Sequence, residues 1–172
     1  MNPLNFTIEQ QICSEWCWAA VASAVCKCYN DPNAPSQRDV VDIVLGAPSG
    51  SQCNCKQDPS SPCNAPMSLP SVLDQVGHAR DDTGRSMTFE QVVAEIDRQR
   101  PIVVQVALDD LAASSHAISI YGYGNDRTVL IADPMHPDDK ITVSFDDFVA
   151  SRPTAFHGTW QGGFRTLPKQ PR

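Results

Sequence analysis

At 172 residues the chain is long enough for one domain with a substantial core. A formal charge of -7 and a pI near 4.9 argue against nucleic-acid and anionic-membrane partners, and no stretch approaches the roughly 20 apolar residues of a membrane span. The start, Met1 to Phe6, lacks the basic residues and long apolar run of a signal peptide, so the chain is mature or excised, or its export takes another route.

In chain order, the first element expected is a helix over residues 17 to 29, opening at Cys17. Its run from Trp18 to Val25 has no Gly or Pro and a small-residue face suited to burial. A second helix is expected over 36 to 45, with Ser36 as N-cap and Gly46 as stop. Residues 47 to 68 hold too many Pro, Ser and Cys residues for regular structure. A short helix at 70 to 77 follows, then one opened by a Thr88 and Gln91 capping box and closed before Arg100-Pro101. Strands are expected at Ile102 to Leu108, Ala117 to Tyr123, Thr128 to Ala132, Lys140 to Ser144 and Gly158 to Thr166, with a helical turn or two at Phe145. Two lobes result around one cleft: a helical part over about 1 to 100 and a mainly antiparallel sheet part over about 101 to 172.

The chemistry concentrates in two places. A helix N-terminus favours an anionic thiolate, and Cys17 stands where a helix begins. His116 opens an apolar strand, Gly124 to Arg127 turns the chain, and the return strand delivers Asp133 beside it. Asp133 then fixes the imidazole, whose other nitrogen faces Cys17 and stabilises the thiolate. The bland alternatives are a structural disulfide for Cys17, a core histidine for His116 and an Asp-Pro turn for Asp133. Having all three in register favours catalysis. His78, His136 and His157 read as surface or loop residues, with His136 the rival base because it lies close to Asp133. A Gln at position 10 or 11 is placed to donate an amide N–H to a developing oxyanion.

Three blocks make the chain similar to papain-like cysteine peptidases: Gln11 with Cys17-Trp18, the His116 to Gly124 strand, and Asp133-Pro134. Two bacterial branches look closest. The Cys17 to Ala20 start resembles the avirulence-effector peptidases of plant pathogens. The segment from Ile131 to Pro134, with Ile141 to Phe148 after it, resembles both those and the double-glycine leader peptidase domains of bacteriocin exporters. The resemblance implies an α+β papain-like fold and a Cys17, His116, Asp133 triad, with Asp where plant and lysosomal papains have Asn. It also selects Gln11, six residues before the nucleophile, as oxyanion donor. Papain's Cys-x-x-Cys-Trp pattern is not matched, since three residues separate Cys13 from Cys17.

Six other cysteines remain: Cys13, Cys26, Cys28, Cys53, Cys55 and Cys63. The expected role is disulfides that pin residues 47 to 68 onto the first helix, in a connectivity the sequence leaves open. Zinc binding by the Cys-x-Cys pairs and free reduced thiols are the competing readings. No cofactor or metal is expected.

The resulting expectation is an endopeptidase cleaving a protein substrate, a secreted or contact-delivered bacterial effector or toxin with selectivity for Gly-Gly or small residues. Trp18 with Ala19 and Ala20 suggests a narrow slot at the scissile bond. A cognate immunity or inhibitor protein is among the expected partners. Deamidase, transglutaminase and cyclase activities share the same acyl-enzyme chemistry, and an inactive binding module is the alternative of another class.

Overall fold

A computed structural model describes residues 1–84, 87–108, 115–152, 156 and 158–169. His157 lies outside these residues. The elements run β1 (Asn2–Pro3), α1 (Cys17–Cys28), α2 (Gln37–Leu45), α3 (Leu69–Val76), β2 (Ala79–Gly84), α4 (Phe89–Asp97), β3 (Ile102–Leu108), β4 (Ser115–Tyr123), β5 (Thr128–Ala132), β6 (Ile141–Ser144), α5 (Phe145–Val149) and β7 (Gly158–Thr166).

Local chemistry sets the helix ends. Ser36 caps α2 in a reciprocal box: its side chain accepts from the Asp39 N–H, and Asp39 Oδ2 accepts from the Ser36 N–H at 2.9 Å. Thr88 and Gln91 form the same device at α4. Replacing Ser36 with alanine is expected to cost about 1 kcal/mol, read as a lower urea midpoint with an unchanged slope.

The strands form one antiparallel sheet in the order β2-β7-β3-β4-β5-β6, with β1 paired to β4. Alternation along β3 and β4 gives the sheet two apolar faces. Val103 and Ala117 face a cluster built with α1, α2 and α3, whereas Ile102, Val104, Ile118 and Ile120 face a cluster closed by α4 and α5. Trp18 to Cys26 of α1 are all buried, because α1 lies between β4 and the helices α2 and α3. Its alanines allow that close approach.

The sheet also recruits segments from the part expected to be helical. β1 and β2 both join it, and α4 packs on its far face. β2 reads Ala-Arg-Asp-Asp-Thr-Gly and has no apolar alternation. It is held by partners outside the strand: Arg80 Nη1 donates to both carboxylate oxygens of buried Glu95 of α4, at 2.8 and 2.9 Å, and Arg165 of β7 donates to Asp81 at 3.2 Å.

Candidate active site

Cys17 is the first residue of α1 and is half-buried. The segment before it is tied down on the outside by the irregular stretch 47 to 68. Trp16 Nε1 donates to the Cys63 carbonyl at 2.7 Å, Trp18 Nε1 to the Ala65 carbonyl at 3.0 Å, and the Glu15 N–H to Asn64 Oδ1 at 3.0 Å. The indoles flanking the thiol thereby fix the first turn of α1 against a loop without helix or strand.

That loop carries two disulfides, Cys13–Cys55 and Cys53–Cys63. Cys26 and Cys28, also expected to pair, are free thiols. They sit in the last turn of α1, about 12 and 15 Å along the axis from Trp18. They do not face one another: Cys26 lies in the cluster with α2 and α3, and Cys28 packs against the opposite one. Burial, reinforced by the Asp31 charge, pushes the Cys26 thiol up to about 12, and burial pushes Cys28 up to about 11. Both stay protonated near neutrality and are poor nucleophiles.

On the other wall, β4 and β5 form a hairpin whose turn closes by the Gly124 N–H donating to the Thr128 carbonyl at 2.9 Å. It brings His116 Nε2 to 2.7 Å from Asp133 Oδ1, with both side chains buried. Asp133 Oδ1 also accepts the Met135 N–H at 2.8 Å, so the carboxylate is itself oriented. Burial opposes charge on His116, but hydrogen bonds and charge from Asp133 and Cys17 outweigh it and hold the imidazole at about 9. Cys17 and His116 line the same cleft, and the thiol acts on the charge of the imidazole. With Nε2 given to Asp133, Nδ1 is the nitrogen left for the thiol.

Gln11 lies beside this group, its backbone N–H donating to the Pro134 carbonyl at 2.9 Å. Its side-chain Nε2 donates to the Cys13 carbonyl at 3.1 Å and the Ser14 carbonyl at 2.6 Å, bracing the loop into Cys17. His136 is exposed, and its backbone N–H bonds the Asp133 carbonyl, so the structure does not bring its ring to Asp133 as a base. His78 lies between α3 and β2, outside helix and strand as a loop residue should, but it is not at the surface. It is wholly buried, with Nε2 2.9 Å from Asp31 Oδ2, Nδ1 2.8 Å from the Leu167 carbonyl, and its ring stacked on Tyr29. Those partners are 47 and 89 residues away, so only the tertiary fold reveals them.

A cleft of about 350 Å³ opens at the thiol, lined by Glu15, Cys17 and Trp18, by Pro66 to Leu69, and by Gln105 and Ser115 to Ala117. Ala19 and Ala20, expected to shape it, are instead buried in the helix packing. Met67 and Leu69 take that place, and local sequence around Cys17 gave no sign of them.

A thiol at a helix N-terminus against a buried His–Asp pair, on an α+β scaffold of this topology, defines a papain-like, cysteine-peptidase-type domain. The chain belongs to the Peptidase_C39-like family, whose model matches residues 3–161. No curated protein matches the chain.

Proposed function

We propose that the protein is a cysteine endopeptidase acting through Cys17, His116 and Asp133 on a protein substrate. The observation that carries this reading is the 2.7 Å His116–Asp133 bond at a cleft that Cys17 and His116 both line. His116 balances the thiolate charge during attack on the scissile carbonyl and then protonates the leaving amine. Asp133 keeps Nδ1 aimed at the thiol. The tetrahedral oxyanion is met by the unpaired N–H groups of the first turn of α1 and by Gln11, which exchanges its 3.1 Å bond to the Cys13 carbonyl for the oxyanion.

Gln11→Ala is accordingly expected to lower kcat by roughly a hundred- to a thousandfold, with KM little changed. A wild-type rate in that variant would leave the role to the backbone alone.

The finer part of the reading is a secreted or contact-delivered bacterial effector or toxin that cuts at Gly-Gly or another small pair, with a cognate immunity or inhibitor protein as a further partner. Membership of the Peptidase_C39-like family and the resemblance to leader peptidase domains support the small-residue preference. Work outside a reducing cytosol is supported by two disulfides in a loop with no regular structure. Incubation with a mixed peptide library, read by mass spectrometry, tests both levels. Chain cleavage labels a peptidase, whereas deamidation or crosslinking leaves chains whole. Bulky or charged residues on both sides of the cut would overturn the small-residue preference, and the absence of any product would leave only the binding module.

A further inference from the structure

Four of the seven cysteines converge on one point of the molecule. Cys13 and Cys55 are joined, Cys53 and Cys63 are joined, and the two bridges touch, with Cys13 Sγ 4.0 Å from Cys53 Sγ. The sulfurs of Cys13, Cys53 and Cys55 all lie within 4.8 Å of one another, and all four residues are buried. A tetrahedral zinc with Zn–S bonds of about 2.3 Å sets its sulfurs about 3.8 Å apart. Three of the sulfurs thus lie near the spacing such a site needs, and the fourth, of Cys63, is bonded to one of them.

We propose that, when its two disulfides are reduced, the protein binds one zinc ion through Cys13, Cys53, Cys55 and Cys63. Each S–S bond takes two electrons and two protons from a dithiol reductant, which closes to a cyclic disulfide, and yields two thiols. Zinc then forms four Zn–S bonds and releases the four thiol protons to solvent. Both forms tie Cys13, just before α1, to the loop whose Cys63 and Ala65 carbonyls hold the indoles of Trp16 and Trp18. The anchor of the nucleophile helix thereby survives passage from an oxidising to a reducing compartment. The other cluster of ligand-type side chains among the described residues, Cys26, Asp31 and His78, is less suited. Both ring nitrogens of His78 are already engaged, and the Lys169 charge acts on the same thiol.

The test uses the full chain, reduced anaerobically with a phosphine, given one equivalent of Zn²⁺ and desalted. The expected result is one zinc retained per chain. The thiols of Cys13, Cys53, Cys55 and Cys63 should resist N-ethylmaleimide until a chelator is added, while Cys17 reacts throughout. Cys26→Ser should keep the ion and Cys53→Ser should lose it. The thiol map is made on the unsubstituted chain, so it decides the matter even where Cys53→Ser fails to fold. No retained zinc, or chelator-dependent protection that maps to Cys26 or omits any of the four, overturns the site.

Discussion

Replacing either Cys17 or His116 with alanine is expected to lower kcat/KM on the order of a millionfold, because residues that act as one unit lose nearly everything when one is removed. On the proposed mechanism the thiol forms the bond to the carbonyl, and the imidazole both balances its charge and protonates the amine that leaves. Neither replacement should unfold the chain. Cys17 is half-buried at a helix start, and its anchoring rests on Trp16, Trp18 and Glu15 rather than on the thiol. Rates from single-turnover assays, set beside thermal melts of the same preparations, check both halves. Substantial turnover by Cys17→Ala at an unchanged Tm would remove Cys17 as nucleophile.

Asp133→Ala should be about a hundredfold milder, since an orienting group contributes less than the reacting pair and water partly replaces it. Its distinctive mark is a moved pH profile. Burial lowers the affinity of His116 for its proton, but Asp133 and Cys17 raise it further, to about 9 against an ordinary 6.5. The protonated imidazole is therefore present at neutrality and is lost as pH rises through about 9. A raised value also adds stability, fully present below about 6.5 and lost as pH rises through about 9. In Asp133→Ala the desolvation penalty meets only the Cys17 contribution, so the alkaline limb of kcat should move down toward neutrality. An unmoved limb in a slowed enzyme would mean that Asp133 only shapes the turn, through its bond to the Met135 N–H.

The helices and the central strands were legible because their signals are local. Ser36 and Thr88 each carry a cap partner three residues on, and β3 to β5 alternate between two faces, with turn residues between β4 and β5. The His116–Asp133 pair was legible for the same reason, as the two are 17 residues apart on one hairpin. What escaped depends on partners far away in the chain. β2 has no apolar alternation and is held as a strand by β7 and Glu95, β1 is two residues docked on β4, and His78 is bonded to a tail 89 residues downstream. The cleft wall at Met67 and Leu69 escaped because it lies just beyond a loop whose course is set by disulfides, whose pairing composition does not encode.

The base and its carboxylate share one contiguous hairpin, whereas Cys17 arrives on a helix drawn from the other end of the chain. A hairpin closes a short loop, whereas docking α1 between β4 and its neighbouring helices closes one of about a hundred residues at a larger entropic cost. On the proposed mechanism, a chain with this hairpin closed and α1 undocked would hold the acid–base pair without a positioned nucleophile.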